Sequence, residues 1–141
     1  MDISKLDQKI KPSGTMAISN KSRELKSQGK PVIGFGAGEP DFPSPDYVVD
    51  AAIKAAADPK NHKYSPAAGL ESLRQIIAKT TKDYSGFEIN SDNVIVSNGG
   101  KQSILTAFLS TLDPGDEVII PAPYWTTYPE AVKIAGGTPI F

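Results

Sequence analysis

The chain has 141 residues, of which 39% are hydrophobic and 22% are charged, so its composition excludes wholesale disorder. The 15 basic and 16 acidic residues give a net charge of −1, which offers no electrostatic basis for binding nucleic acid or an anionic membrane. With no cysteine and one histidine, His62, disulfides and thiolate catalysis are excluded and a metal site is not expected. We expect a cytoplasmic protein, because neither a secretory signal nor a bilayer-spanning apolar run is present.

The first part of the sequence predicts an exposed helix and a glycine-rich loop. The helix is expected over residues 15–28, with Gly29 as its C-terminal stop. A short strand is predicted at residues 32–33. The irregular segment that follows, residues 34–45, holds three of the 12 glycines and three of the 12 prolines in the chain.

Two further helices are predicted before the middle of the chain. Ser44 as N-cap and Pro45 at the first helical position open a helix that runs to about Ala57. A second irregular segment follows, and a clear apolar stripe then predicts a helix that begins near Leu70 and ends before Ser85–Gly86.

The second half of the chain alternates apolar runs with helical patterns. The predicted elements are, in order, a strand over 93–97, a helix over 101–112, a turn over 113–116, a strand over 118–120, a helix over 127–135 and a strand from Thr138. The first two strands are continuous apolar runs, which are typical of strands buried on both faces. This alternation predicts an α/β fold with a mostly parallel sheet and right-handed crossovers.

Three loops are candidate sites. The loop over 97–103 joins a strand to a helix through Gly99 and Gly100, so unpaired helix amides could bind a phosphate; an ordinary turn is the alternative. The loop over 34–41 favours a close backbone approach to a small ligand at Gly38, or else is a plain surface loop. Trp125 follows the carboxyl end of a predicted strand and could stack on a planar ligand, although a core tryptophan is the alternative.

Together these features resemble the N-terminal part of a fold-type I pyridoxal-phosphate (PLP) aminotransferase of the class I/II group. Within the group, the chain is most similar to bacterial aspartate aminotransferases, including the branch that also accepts prephenate. The resemblance covers nearly the whole chain, from Lys11 onward, and is carried by the ordered motifs Gly36-Ala37-Gly38-Glu39-Pro40-Asp41-Phe42, Lys63-Tyr64 with Gly69 and Leu73-Arg74, Asn98-Gly99-Gly100-Lys101-Gln102, Asp113-Pro114-Gly115-Asp116-Glu117-Val118, and Pro121-Ala122-Pro123-Tyr124-Trp125 with Tyr128-Pro129.

The resemblance implies an incomplete fold, the start of the large PLP-dependent transferase domain with its mostly parallel sheet and flanking helices. Residues 1–45 would form an N-terminal arm and a small-domain segment with a substrate loop. Residues 46–141 would form the first part of the PLP-binding large domain.

The resemblance also implies the cofactor site. The backbone amides of Gly99, Gly100 and Lys101 would hold the PLP phosphate, and Trp125 would stack on the pyridine ring. Tyr64 would reach the phosphate of the neighbouring subunit's cofactor, so that a homodimer shares its active sites.

For the substrates, the resemblance implies an L-amino acid, aspartate before prephenate or arogenate, and a 2-oxo acid. Gly38 would meet the substrate α-carboxylate, and Trp125 would border the substrate as well as the cofactor. Lys11 corresponds to the basic position associated with prephenate use.

The Schiff-base lysine, the aspartate at the pyridine nitrogen and the arginine for the α-carboxylate would all lie downstream, since Lys101 contributes its amide rather than its amine. We therefore expect no catalytic residue in this segment and no activity from it alone. Residues 138–141 look like the opening of a strand, which predicts a longer chain; a complete small domain with an edge strand is the alternative.

Other functions remain open from sequence. The alternatives are another class I/II aminotransferase, for alanine or aromatic substrates, and a truncated, non-catalytic binding or dimer-forming module. An unrelated nucleotide-binding α/β domain is disfavoured, because the prolines after Gly38 prevent a helix from starting there.

Overall fold

The structure is a computed structural model that describes residues 4–7 and 10–141. The helices and strands, in chain order, are α1 (Gly14–Ser27), α2 (Asp46–Ala57), α3 (Glu71–Ser85), α4 (Gly100–Thr111), β1 (Glu117–Ile119), α5 (Thr127–Ile134) and β2 (Thr138–Ile140). Single 3-10 turns occur at Pro59–Asn61 and Ser91–Asn93. Within residues 4–7 and 10–141, no helix is both long and apolar enough to cross a membrane.

The chain divides into two units. One contains the described residues up to Glu39 together with Gly99–Phe141, and the other is Pro40–Asn98. The predicted division after residue 45 refers to a complete fold, and it stays a prediction.

The first unit contains a parallel β-α-β arrangement. β1 and β2 pair in parallel, with Glu117 opposite Thr138 and Ile119 opposite Ile140. The pairing continues past β1, because the Ile120 N–H donates to the Ile140 carbonyl at 2.8 Å. Between the strands, α5 buries the side chain of Val132 completely. The predicted α/β class with parallel pairing is therefore confirmed for this part of the chain.

The predicted strands at 32–33 and 93–97 are wrong, because neither segment has a paired strand among the described residues. Val94 is buried and has an extended backbone (φ −115°, ψ 128°), yet its N–H donates to the nearby Ser91 carbonyl at 3.1 Å, and the Val96 N–H donates to the Ala68 carbonyl at 2.9 Å, which belongs to no strand. A β-strand forms only where its backbone pairs with another strand, and an apolar run does not show which segment of the chain would pair with it. Burial on both faces is wrong as well, since Ile119 in β1 is 79% exposed.

Helix ends mostly follow the sequence signals. The side chain of Ser13 accepts a hydrogen bond from Met16 N–H and caps α1, while Gly86 ends α3 in the left-handed conformation (φ 72°). The prediction that Ser44 caps α2 is wrong. Pro45 is the N-cap instead, because its own carbonyl accepts the first helical bonds, from the N–H groups of residues 48 and 49.

In the second unit, an arginine joins α3 to the turn at Ser91–Asn93. The Arg74 guanidinium donates to the carbonyls of Ser91 and Val94, through Nε at 3.0 Å in each case, and its side chain is 15% exposed. It also pairs with the carboxylates of Glu71 and Asp92 at 3.1 and 3.3 Å. These bonds connect α3 to backbone carbonyls of the turn and of the extended segment that follows it.

Candidate functional site

The start of α4 has the geometry of an anion site. Gly99 is the N-cap with φ 85°, and the first helical bonds run from the N–H groups of Gln102 and Ser103 to the Gly99 carbonyl. The amides of Gly100 and Lys101 therefore precede the helical ladder and lie at the positive end of the helix dipole. A Cβ added at Gly99 or Gly100 would meet no atom within 4 Å, so the backbone here borders open space.

Trp125 lies close to this loop. The Lys101 Nζ is 5.4 Å from the centroid of the Trp125 ring, within the range of a cation–π contact. Tyr128 packs edge-on against the same ring, with centroids 5.8 Å apart, and its N–H donates to the Trp125 carbonyl at 3.0 Å. The indole is 42% exposed, so it is held in place while part of its surface stays accessible.

A cavity of about 600 Å³ lies in the same unit, a volume typical of small-molecule sites. Its charged lining residues are Lys11, Lys101, Lys133 and Glu130, so cations outnumber the carboxylate. This imbalance favours an anionic ligand.

The apolar part of the lining includes an aromatic stack. Tyr124 and Phe141 lie with ring centroids 4.9 Å apart and planes 20° apart. Leu105 on α4 and Ile134 on α5 also line the cavity. A ligand that carries both a negative charge and an apolar part matches this lining.

Glu130 connects two of the cavity's lysines. Its Oε2 accepts from the backbone N–H of Lys11 at 3.0 Å, and its Oε1 accepts from Lys133 Nζ at 2.9 Å. Partial burial by itself would raise the pKa of Glu130, but the hydrogen bond from Lys133, that from Lys11 and both positive charges outweigh it and lower the pKa. Glu130 is therefore ionised at neutral pH. No spacing pattern in the sequence pairs residues 11 and 130, and the prediction missed Glu130.

The structure brings some predicted site residues together and leaves others apart. Lys11 and Lys101 line one cavity, and Lys101 also contacts Trp125. Gly38 is exposed, does not line that cavity, and has no atom within 4 Å of an added Cβ. Tyr64 belongs to the other unit, where its ring is fully exposed.

The described part of the chain contains no group of three or more side chains able to hold a metal ion.

Comparison with known families identifies the chain. Residues 30–141 match the model for "Aminotransferase class I and II". The chain belongs to this family. It is 58% identical over 131 residues to an aspartate aminotransferase from Streptomyces avermitilis, covering 93% of this chain and 32% of the relative. It is 48% identical over all 141 residues to an aspartate/prephenate aminotransferase from Nitrosomonas europaea, of which it covers 35%.

Solved structures of the family agree with the fold. The aspartate aminotransferase from Thermus thermophilus with maleate superimposes with a TM-score of 0.94 at 42% identity, over 99% of this chain and 36% of that one. The chain thus spans about a third of the length of each of these three relatives.

Proposed function

We propose that the protein carrying this chain is a PLP-dependent aminotransferase that moves the amino group between L-aspartate and a 2-oxo acid. The observation that carries the proposal is the pairing of the glycine turn at α4 with the accessible face of Trp125, in a chain of this family. The names of the similar proteins, aspartate and aspartate/prephenate aminotransferase, support aspartate as the amino donor.

The residues present fit the cofactor. The open space at the Cβ positions of Gly99 and Gly100 leaves room for a phosphate near the backbone, and the amides of Gly100 and Lys101 belong to the first turn of the helix that begins there. In the proposed site Gly99, Gly100 and Lys101 hold the phosphate. When bound, PLP supplies a conjugated ring that takes up electrons from the substrate α-carbon.

Trp125 supports the cofactor ring in this proposal. Its edge contact with Tyr128 supports the indole from one side, which would lower the entropy cost of stacking on a ring. Lys101 contributes a positive charge beside the same ring. A negatively charged phosphate near the amide of Lys101 is then favoured by that ammonium as well as by the helix dipole.

Substrate binding is proposed for Gly38, Lys11 and Trp125. The exposed backbone of Gly38 is open to the α-carboxylate of an amino acid. Lys11 lines the cationic cavity, which suits the second carboxylate of aspartate or a carboxylate of prephenate. The Thermus thermophilus structure, which was solved with maleate, supports a dicarboxylate substrate.

We further propose a homodimer whose subunits share their active sites. Tyr64 supports this, because a phenol that is fully exposed in its own chain is free to reach a neighbouring subunit. Its hydroxyl would donate to the phosphate of the partner's cofactor.

The polypeptide of these 141 residues is proposed to be inactive by itself. Its lysine at the cofactor loop, Lys101, is assigned a binding role through its amide, and the lysine, aspartate and arginine of the chemistry are expected downstream. Aspartate turnover by the purified 141-residue chain, with its mass confirmed, would contradict this proposal.

The test of the proposed function uses the full-length protein. PLP binding is titrated by absorbance. Transamination is measured in separate assays with L-aspartate, L-alanine and L-phenylalanine as amino donors, and with prephenate as an amino acceptor. Aspartate is expected to give the highest kcat/KM among the amino donors. A protein that binds no PLP would support the non-catalytic module instead, and a preference for alanine or phenylalanine would favour the other aminotransferase classes.

A further inference from the structure

We propose that Glu130 is a positioning residue that fastens the N-terminal segment to α5 and thereby fixes the place of Lys11 in the cationic cavity. The inference rests on the proposed function only in its claim that the position of Lys11 serves substrate binding. The geometry of the attachment stands independently of that claim.

Both carboxylate oxygens of Glu130 are engaged. Oε2 accepts from the Lys11 backbone N–H at 3.0 Å, while Oε1 accepts from Lys133 Nζ at 2.9 Å. The side chains of Glu130 and Lys133 are 21% and 26% exposed. The ion pair with Lys133 is therefore partly shielded from water, which strengthens it, whereas the bond to Lys11 lies at the surface.

The bond to Lys11 joins residues 119 positions apart in the chain. It differs from the exposed ion pair between Lys21 and Glu24, which joins neighbouring turns of the same helix, α1. Breaking the Lys21–Glu24 pair leaves α1 where it is. Breaking the bond to Glu130 removes a tether between the N-terminal segment and α5.

The tether acts on a short and stiff piece of backbone. Pro12, whose ring fixes φ, follows Lys11 directly, and Ser13 is already the N-cap of α1. The Ser13 carbonyl accepts from Ala17 N–H at 3.0 Å, so the far end of the segment is held by the helix. With Lys11 held at the near end, little backbone freedom is left between α5 and α1.

The same geometry argues against direct substrate binding by Glu130. Each of its oxygens already has a donor, and a carboxylate among the cavity's lysines would repel an anionic substrate. Through these two hydrogen bonds, the Glu130 carboxylate holds Lys11 and Lys133 on the same side of the cavity. Its role is to place cations rather than to contact the substrate.

The experiment uses the full-length protein with Glu130→Ala, Glu130→Gln and, as a matched control, Glu24→Gln on α1. The first readout is hydrogen exchange of the Lys11 amide, followed by NMR. Loss of a charge-assisted bond is expected to speed exchange about tenfold in Glu130→Ala and less in Glu130→Gln, which keeps an acceptor oxygen. Glu24→Gln is expected to leave this exchange within twofold of the parent protein.

The second readout is steady-state kinetics with L-aspartate. Misplacing Lys11 is expected to raise KM about tenfold in Glu130→Ala, with kcat changed less than threefold, because the lost contact belongs to binding rather than to the chemical step. The KM of Glu130→Gln is expected to lie between those of Glu130→Ala and the parent protein.

Unchanged Lys11 exchange in Glu130→Ala would overturn the proposed tether. Faster exchange with an unchanged KM would overturn its role in substrate binding. If Glu130→Ala fails to fold, Glu130→Gln is used for both readouts with smaller expected changes, and Lys133→Met, which removes the ammonium partner, is used for the exchange readout alone. If the parent protein does not transaminate at all, the proposed function fails, whereas the exchange measurement still decides whether Glu130 holds the segment.

Discussion

Replacing Gly69 by alanine tests the packing of the loop before α3. Gly69 has φ +101°, outside the regions that residues with a Cβ readily adopt. A Cβ built there would lie 2.7 Å from both Cβ and Cγ2 of Val96, closer than carbon atoms can approach. The backbones are joined at the same place, because Val96 N–H donates to the carbonyl of Ala68 at 2.9 Å. Neither side can move away without stretching that bond.

The magnitude follows from two costs and one gain. Overpacking costs about 1–3 kcal/mol and the left-handed backbone about 1–2 kcal/mol. The lower entropy of the unfolded chain returns about 0.4–1 kcal/mol. Taken at their midpoints, these terms predict that Gly69→Ala lowers the free energy of unfolding by about 3 kcal/mol.

Gly86→Ala is the matched control. Gly86 also has a positive φ, of 72°, but no atom lies within 4 Å of its added Cβ. Only the backbone cost and the entropy gain apply, so we expect a loss of about 1 kcal/mol.

The assay is urea unfolding of the full-length protein, combined with hydrogen exchange at the Val96 amide. Gly69→Ala is expected to speed Val96 exchange more than Gly86→Ala does, because only the first substitution presses on that hydrogen bond. Equal losses of stability and equal Val96 exchange in the two variants would refute the reasoning.

Four further results are expected. Arg74→Lys should lower the free energy of unfolding by about 2 kcal/mol in a urea titration, because an ammonium cannot replace the guanidinium bonds to two carbonyls and two carboxylates; no loss would contradict those bonds. Trp125→Ala should weaken PLP retention on dialysis and slow transamination, and unchanged values would remove Trp125 from the site. Tyr64→Phe should weaken PLP binding by about 1–3 kcal/mol in an absorbance titration, with Tyr84→Phe, an equally exposed phenol, as the control that stays unchanged. Because the pKa of Glu130 is lowered in the folded protein, its ionised form stabilises the fold above the ordinary value of 4.5, and this contribution is lost as the pH falls through the lowered pKa. The difference in Tm between the parent protein and Glu130→Gln should therefore shrink from pH 6 to pH 3, and a constant difference would contradict the charge-assisted bond.

The shared-site proposal has its own test in mixed dimers. One subunit carries Tyr64→Phe and the other lacks the downstream Schiff-base lysine. If subunits share their sites, one of the two sites in such a dimer combines both defects while the other has neither, so activity is partly restored. No restoration in mixed dimers would contradict the shared site.

Local signals were enough to predict the elements that depend on local interactions. Gly29 and Gly86 end helices with positive φ, as a glycine after a helical pattern predicts. The parallel pairing of β1 with β2 was predictable too, because a helix of suitable length separates two short apolar runs. The turn at 113–116 forms through the bond from Asp116 N–H to the Asp113 carbonyl at 3.1 Å.

Features that depend on partners distant in sequence were not predictable. The apolar run at 94–96 predicts a strand, but within the described residues no strand pairs with it; Ile95 is exposed, and the Val96 N–H donates to Ala68, which belongs to a loop. The hydrogen bond from the Lys11 N–H to Glu130 joins residues 119 positions apart, so no periodic pattern in the sequence indicates it. The N-cap of α2 is the residue whose carbonyl accepts the first helical hydrogen bond. Residue type alone does not determine whether that residue is Ser44 or Pro45.

For the candidate site, the loop at Gly99–Lys101 and the ring of Trp125 were both predicted from sequence, and the contact between Lys101 and Trp125 brings them together. Their roles toward a cofactor came from resemblance and remain proposals. The cationic cavity could not be predicted, because its lysines come from the N-terminal segment, α4 and α5.

The measurement that tests the central claim most directly is the rate of amino-group transfer from L-aspartate to 2-oxoglutarate by the full-length protein, with and without added PLP. The proposed function predicts PLP-dependent formation of oxaloacetate and glutamate in equal amounts, with a lower rate for Trp125→Ala at limiting PLP. Absence of transfer from aspartate in a folded, PLP-saturated protein would contradict it.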